Sequence, residues 1–125
     1  MGKQRKAYIS GSLTGVDNST LLKLKRFYED IADLCREFDI NPYVPHLKSD
    51  PITHPDLSPS EVYEMDRKEV LGSDIVIAYV GIPSFGVGIE IEIARENNIP
   101  VILIYMRKTK GCLAWQGGFQ QSELR

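Results

Sequence analysis

Hydrophobic residues along the chain form short continuous runs that alternate with longer stretches of helical spacing. The runs at 6–10, 40–44, 75–80 and 100–105 are predicted strands, and the last two are almost entirely apolar. Continuous apolar strands are typical of a parallel sheet that is covered by helices on both faces. Pro42 interrupts the second run, which therefore predicts an irregular strand or an edge strand.

A long helix is predicted between the first two strands, capped by one of the polar residues at 17–19. Its apolar positions recur every three or four residues, so one face of the helix is buried. These positions are Leu21, Leu24, Phe27, Tyr28, Ile31, Leu34, Cys35 and Phe38.

Two further helices are predicted before the third and fourth strands. The first runs from Pro59 to about Leu71 and stops at Gly72. Ser58 is the expected cap, and Glu61 completes a capping box. The second helix is expected to end near Asn98.

The order βαβαβαβ predicts an α/β fold: a doubly wound, mainly parallel sheet sandwiched by helices, of flavodoxin or Rossmann type. A length of 125 residues is consistent with one domain, 1–125, in which 109–125 is an atypical tail. Ligands of such sheets bind beyond the carboxyl ends of the strands, where the strand order reverses. The turn 11–15, the loop after the second strand and the turn 81–88 are expected to meet there.

Composition excludes several classes of partner. The net charge is −2, so no broad basic surface is expected and nucleic acid is not a predicted partner. No apolar run approaches the roughly 20 residues that span a membrane, and no signal peptide is visible. The two cysteines, Cys35 and Cys112, have no metal-site spacing, and Cys35 is predicted as a small core residue. We therefore expect a cytoplasmic protein without a cofactor or metal.

The stretch Pro83-Ser84-Phe85-Gly86-Val87-Gly88-Ile89-Glu90 joins the third strand to a helix. A strand, a glycine-rich turn and a helix start together favour an anion, because free N–H groups point outward there. Gly86 and Gly88 would let the backbone approach a ligand closely, and Glu90 adds a carboxylate just beyond. The alternative is that the glycines only ease the bend.

A second unusual acid is Asp66, which shares the apolar face of its helix with Val62, Tyr63 and Val70. A carboxylate in that position is costly unless it has a partner or a role, and a structural aspartate with a partner is the alternative. Glu90 is expected to face the same edge. Two carboxylates beside an anion site indicate glycosidic chemistry, and desolvation with like charge should raise the pKa of one of them.

The long segment 46–57 is predicted to be a functional or mobile loop. His46 follows a strand end, so it is either a ligand contact or an ordinary loop histidine. His46 and His54 are too few and too loosely spaced to indicate a metal site.

Three motifs together resemble the nucleoside 2-deoxyribosyltransferase superfamily, in particular its 2′-deoxynucleoside 5′-phosphate N-hydrolase branch. They are Tyr8-Ile9-Ser10-Gly11-Ser12, Met65-Asp66-Arg67 and the stretch 83–90, and the likeness covers about residues 6–106. The resemblance implies that Glu90 is the nucleophile on the anomeric carbon and that Asp66 assists departure of the base. It also implies a set of substrate-binding residues: Tyr8, Gly11, Ser12, Leu13, Thr14, Tyr28, His46, Ser84, Gly86 and Gly88.

The sequence departs from the family pattern at two places. Thr14 stands where the hydrolases carry a basic residue, which removes one expected phosphate contact. The segment after Lys108 lacks the serine-containing sequence that reaches the partner subunit's site in the family dimer. A second reading frame beginning at the third base of the Cys112 codon permits Ser-Arg-Met-Ala-Arg-Gly-Val-Pro-Ala-Val, so a frame change near 108–111 is one hypothesis. A divergent native tail is the other.

The resemblance leaves three functions open. The first is hydrolysis of the N-glycosidic bond of 2′-deoxynucleoside 5′-monophosphates through a glutamyl ester. The second is transfer of deoxyribose between bases, and the third is a nucleotide-binding module without turnover. A small-molecule deoxynucleotide is the expected ligand, and a symmetric homodimer is the expected assembly.

Overall fold

The computed structural model describes residues 4–49 and 54–106. Their elements are β1 (Arg5–Ser10), α1 (Asn18–Glu37), β2 (Ile40–Tyr43), α2 (His46–Ser49), α3 (Pro59–Leu71), β3 (Ile75–Tyr79), α4 (Phe85–Glu96) and β4 (Val101–Ile104). The tail at 109–125, Cys112 and the middle of the predicted loop 46–57 lie outside the described residues.

The four strands form one sheet in the order β2-β1-β3-β4, and every neighbouring pair is parallel. This confirms the predicted doubly wound fold, since the chain winds outward from β1 in one direction and then crosses to β3. Pro42 lies on β2 opposite Ala7, and β2 is an edge strand of the described sheet, as predicted.

Strand β1 separates the two sides of the core, because successive side chains of a strand point to opposite faces. Ala7 and Ile9 belong to the cluster on the α1 side of the sheet. Tyr8 belongs to the cluster on the other side, which contains residues of α3 and α4. Cys35 is buried in the α1 cluster, which confirms its predicted place in the core.

The predicted start of α3 and one of the three proposed caps of α1 are confirmed. Asp17 caps α1, and its carboxylate accepts a hydrogen bond from the Thr20 N–H at 2.7 Å. At α3 the Ser58 hydroxyl accepts from the Glu61 N–H, and the Glu61 carboxylate accepts from the Ser58 N–H. Each cap satisfies N–H groups that have no acceptor inside the helix.

The buried stripe of α1 is narrower than the predicted apolar face. It consists of Leu24, Tyr28, Ala32 and Cys35. Leu34 and Phe38 are exposed, so their prediction as buried residues was wrong. Leu34 follows Ala32 by two residues, which places it about 200° around the helix on the solvent side.

Two predicted boundaries and one predicted burial also need correction. Helix α4 begins at Phe85, so the two glycines of the predicted turn lie inside its first turns. The start of the predicted loop 46–57 is a short helix, α2. Ile102 on β4 is exposed, so the expectation that both faces of this strand are covered was wrong there. Within the described residues no helix has the length and apolar character that a membrane crossing requires.

Candidate active site

The site lies where the strand order reverses, between the carboxyl ends of β1 and β3. The first turn leaves β1 after Ser10, and the segment that leads into α4 leaves β3 after Tyr79. Parallel strands open a crevice at such a point, because their connections run to opposite faces of the sheet. Glu90 from α4 reaches this crevice, and Asp66 comes from α3 on the same side.

Glu90 is held by two hydroxyl groups of β1. The Tyr8 hydroxyl donates to Glu90 Oε2 at 2.7 Å, and the Ser10 hydroxyl donates to Oε1 at 2.5 Å. Tyr8 and Ser10 are both fully buried. Each carboxylate oxygen therefore has a donor, and the orientation of the carboxylate is defined by both.

Tyr8 is fixed by a second ring. Its ring stacks on that of Tyr43 on β2, with centroids 5.6 Å apart and planes 16° from parallel. Burial raises the pKa of Tyr8 far above its usual value, with a further contribution from the charge of Glu90. Tyr8 therefore stays protonated and remains a donor to Glu90.

Asp66 has no such support. Its Oδ1 atom is buried, and no group of the described residues forms a hydrogen bond with it. Burial, followed by the charges of Glu90 and Glu69, raises the pKa of Asp66 to about 7. The expected effect of desolvation and like charge is therefore present, and it acts on Asp66.

The two acids have different surroundings, which affect their protonation differently. Burial raises the pKa of Glu90 above its usual value, and the hydrogen bonds from Ser10 and Tyr8 offset part of that rise. Donated hydrogen bonds favour an ionised carboxylate, whereas Asp66 has none on its buried oxygen. Of the two acids, Asp66 is therefore the one whose surroundings favour the protonated form more strongly. An ionised nucleophile beside a protonated acid is the arrangement that glycosidic cleavage needs.

The start of α4 supplies an anion-favouring surface near Glu90. The Ser84 hydroxyl caps the helix by accepting from the Val87 N–H at 3.2 Å. The N–H groups of Phe85 and Gly86, in the first turn, have no acceptor inside the helix. A side chain at Gly88 would meet no atom within 4 Å, and one at Gly86 would meet only the Ser84 hydroxyl. The two glycines thus leave the backbone of the first helical turns uncovered by side chains. They lie inside α4 and do not form the separate turn that the sequence predicted.

The first turn after β1 rests on the ring of Tyr28. The Tyr28 hydroxyl donates to the Ser12 carbonyl at 2.9 Å, and Gly11 lies directly against the ring. The Ser12 hydroxyl donates to the Thr14 carbonyl at 3.0 Å, which closes the turn. Leu13 packs on the α1 cluster, and the Thr14 side chain is exposed.

We expect Gly11→Ala to destabilise the protein by about 2 kcal/mol, because overpacking a well-filled core costs roughly 1–3 kcal/mol. The added Cβ would overlap the buried Tyr28 ring and push its hydroxyl away from Ser12. Denaturant unfolding measures the change. Gly88→Ala is the matched control and should be neutral or stabilising, since its Cβ meets open space and alanine favours a helix. Equal stability of the two variants would contradict this account of the turn.

His46 faces α1, and not the carboxylate pair. Its Nε2 atom lies 2.7 Å from Glu29 Oε2, and its ring is 6.3 Å from that of Tyr28. The Nδ1 atom is buried without a partner among the described residues. His46 therefore connects the segment after β2 to the helix that supports the first turn. That His46 contacts substrate stays a prediction.

The structure thus divides the predicted site residues into three groups. Tyr8, Asp66 and Glu90 come together, with Ser10 as a partner that the sequence pattern did not single out. Gly11, Ser12 and Tyr28 form the first turn with its support, and Ser84, Gly86 and Gly88 form the start of α4. Ser10 could have been recognised from its place two residues after Tyr8, on the same face of β1. Residues 4–49 and 54–106 contain no group of three side chains arranged to hold a metal.

Comparison with known sequences places the chain beside two archaeal proteins. It is 34% identical over 102 residues to a protein of Methanosarcina barkeri, provisionally named 2′-deoxynucleoside 5′-phosphate N-hydrolase 1. A protein of Methanococcoides burtonii with the same provisional name is 38% identical over 50 residues. The first match covers 80% of this chain and 61% of the relative, and the second covers 40% and 41%. No protein-family model matches the sequence.

Solved structures have the same fold. A 2-deoxyribosyltransferase from Leishmania mexicana superposes with a TM-score of 0.64 at 17% identity, over 82% of this chain and 65% of its own. A 2-deoxyribosyltransferase from Bacillus psychrosaccharolyticus superposes with a TM-score of 0.61 at 18% identity, over 80% of this chain and 72% of its own. A conserved protein from Enterococcus faecalis superposes with a TM-score of 0.67 at 25% identity, over 85% of this chain and 66% of its own.

The sequence matches and the shared fold agree with each other and with the motifs. The chain spans about 61% of the length of the Methanosarcina barkeri relative. The two curated relatives are named as N-hydrolases, and two of the three structural neighbours are named as deoxyribosyltransferases. The chain is therefore similar in sequence to proteins named as 2′-deoxynucleoside 5′-phosphate N-hydrolases, and it shares its fold with solved 2-deoxyribosyltransferases.

Proposed function

We propose that the protein hydrolyses the N-glycosidic bond of 2′-deoxynucleoside 5′-monophosphates. The observation that carries the proposal is the unequal carboxylate pair. Glu90 accepts hydrogen bonds on both oxygens, whereas Asp66 has a buried oxygen without a donor and a pKa raised to about 7. One group is prepared to be a nucleophile and the other an acid at neutral pH.

In the first step a Glu90 oxygen attacks C1′ of the deoxyribose. The C1′–N bond breaks, its electron pair goes to the base, and Asp66 donates its proton to the departing base. The product is a deoxyribosyl ester of Glu90 and a free base. Tyr8 and Ser10 orient the attacking carboxylate, so that little reorganisation is needed when the bond forms.

In the second step a water oxygen attacks C1′ of the ester. Asp66, now ionised, accepts a proton from the water, and the bond between C1′ and Glu90 breaks. Glu90 returns to its carboxylate form, and deoxyribose 5-phosphate is released. Because the acid of the first step becomes the base of the second, a pKa near neutrality serves both.

The phosphate of the substrate is proposed to bind at the start of α4. Free N–H groups of the first turn and the Ser84 hydroxyl are available there, and the helix dipole favours an anion. The bare backbone at Gly86 and Gly88 allows close approach. This support for a phosphorylated substrate places hydrolysis of monophosphates ahead of transfer between nucleosides.

The test is a chromatographic assay of base release from the four deoxynucleoside monophosphates, the matching nucleosides and the ribonucleotides. Release of base with formation of deoxyribose 5-phosphate is expected only from deoxynucleotides. A new nucleoside, formed when a second base is added, would instead establish a deoxyribosyltransferase. Binding of deoxynucleotides with no base release over hours would establish a binding module and overturn the proposal.

We further propose that the protein acts as a homodimer. A cavity of about 170 Å³ lies beside β2, and its lining includes neither Glu90 nor Asp66. Phe85 is 93% exposed at the start of α4, and Ile89 lies on the same side one turn later. A second copy that covers these two residues would also enclose the site.

The expectation of a cytoplasmic setting rests on the cysteine usage of the sequence, and it stays a prediction.

Solution mass at micromolar concentration tests the dimer. We expect a dimeric mass for the full chain and a shift toward monomer for Phe85→Ser, because exposed aromatic residues contribute strongly to interfaces. Leu22→Ser is the control, since Leu22 is exposed on α1, across the sheet. A monomeric mass for the unaltered chain would contradict the proposal.

A further inference from the structure

Ser10 is a buried hydroxyl group whose contact with Glu90 has not been assigned a role by the sequence motifs. We propose that Ser10 is a positioning residue that, together with Tyr8, holds Glu90 in one orientation and in its ionised form. The proposal rests on the proposed function, because it assigns Glu90 as the nucleophile. Three observations support the proposal: the alternation of side chains along β1, the hydrogen bonds to Glu90 and the burial of Ser10.

Strand alternation places the two donors on one face. Tyr8 and Ser10 lie two residues apart on β1, so both side chains point away from α1. Ser10 is the last residue of the strand and lies opposite Ala78 on β3. Tyr8 lies deeper, opposite Val76, and its longer side chain also reaches Glu90. The short side chain of Ser10 at the end of β1 and the longer side chain of Tyr8 two residues earlier therefore both donate to the same carboxylate.

The hydrogen bonds divide between the two oxygens. Ser10 donates to Oε1 at 2.5 Å and Tyr8 donates to Oε2 at 2.7 Å, which are the distances of hydroxyl groups bound to an ionised acceptor. A carboxylate oxygen has two lone pairs, so each oxygen keeps one that can attack carbon. The pair of contacts consequently fixes the carboxylate without blocking it.

Burial makes these contacts important for the charge of Glu90. Ser10 is fully buried, so water cannot take the place of its hydroxyl group if the side chain is removed. The described residues place no cation against Glu90 in a hydrogen bond or an ion pair. The titratable groups whose pKa values are raised by the charge of Glu90 are Asp66 of α3, Tyr43 of β2 and Tyr8. The charge on Glu90 therefore depends on neutral donors.

The first experiment titrates the Glu90 carboxyl carbon by NMR in glutamate-labelled protein, with Glu90→Gln used to assign the resonance. Ser10→Ala should move the Glu90 pKa upward, because a donor to the ionised form is lost. Ser73→Ala is the matched control. Ser73 is a buried serine that donates to the Glu69 carbonyl, so its loss should leave the Glu90 titration unchanged.

The second readout is the pH dependence of turnover. In Ser10→Ala the acidic limb of kcat/KM should move to higher pH, and kcat should fall on the order of tenfold while KM changes little. Ser10→Cys keeps the size of the side chain but has a weak donor, and it should resemble the alanine variant. If Ser10→Ala does not fold, the cysteine variant alone decides the question.

A folded Ser10 variant with an unchanged Glu90 titration would overturn the proposal. The titration does not require turnover, so it tests Ser10 even if the unaltered protein releases no base. Absence of base release from the unaltered protein, in contrast, overturns the proposed hydrolysis. The two failures are therefore distinguishable.

Discussion

Glu90→Gln is expected to reduce base release from deoxynucleoside monophosphates by a factor of about 10³ or more. An amide cannot form the ester intermediate, so the path through a covalent nucleophile is lost. The substitution also replaces one of the two acceptor oxygens that face Tyr8 and Ser10 with an NH₂ group, which leaves one hydroxyl group facing a donor. Initial rates under saturating substrate give the loss in kcat directly.

Glu92→Gln is the matched control for this variant. Glu92 lies on the same helix, is exposed, and forms an ion pair with Arg95 at 3.6 Å. Exposed pairs of this kind contribute little, so both stability and turnover should stay near those of the unaltered protein. Turnover that persists in Glu90→Gln would rule out Glu90 as the nucleophile and with it the covalent mechanism.

Asp66→Asn is expected to lower turnover by about 10²–10⁴, the range that a positioned general acid or base contributes. The unaltered protein should lose activity as the pH rises above about 7, since Asp66 must be protonated to assist the first step. Asparagine has no such proton to give, so this basic limb should disappear along with the activity. A pH profile of kcat/KM for both proteins measures the two effects.

The same substitution should increase stability at alkaline pH. The pKa of Asp66 is raised in the folded protein, so the folded state binds more protons than the unfolded state between about pH 4 and pH 7. The contribution of Asp66 to stability is therefore highest below pH 4 and is lost as the pH rises through 7. After discounting for solvent screening, Asp66→Asn should raise the free energy of unfolding at pH 8 by about 1 kcal/mol.

Glu64→Gln is the control on α3, because Glu64 is an exposed acid on the same helix. Urea unfolding at pH 5 and pH 8 should show a pH-dependent gain for Asp66→Asn and none for Glu64→Gln. A loss of stability in Asp66→Asn at pH 8 would mean that Asp66 has a favourable ionic partner. The acid role would then fail.

The sequence alone determined the order of the strands and the long helices, the parallel sheet and the cap of α3 at Ser58, and it limited the cap of α1 to three residues. These features depend on contacts between residues a few positions apart, so periodicity and capping residues report them directly. Asp66 was also recognisable, because an acid on an apolar helix face conflicts with its neighbours. Glu90 was singled out by the helix start that precedes it.

Sequence periodicity was less reliable where an element's surroundings decide exposure. Leu34 and Ile102 are apolar and fit the periodic patterns of α1 and β4, yet both are exposed. Periodicity gives the direction of a side chain relative to its own element. Whether another element covers that direction depends on where the elements pack.

The tertiary structure decided how the candidate site is assembled. Ser10 and Tyr8 contact Glu90 across 80 and 82 positions of sequence, and His46 contacts Glu29 across 17. Serine and tyrosine occur in many strands without any such role, so the spacing of Tyr8 and Ser10 indicates that they share a face of β1 but not that they reach Glu90. The proposed division of roles between Asp66 and Glu90 likewise rests on which carboxylate receives hydroxyl donors. That choice depends on the packing of α3 and α4 against β1, because only the folded chain brings these donors to one acid and leaves the other without them.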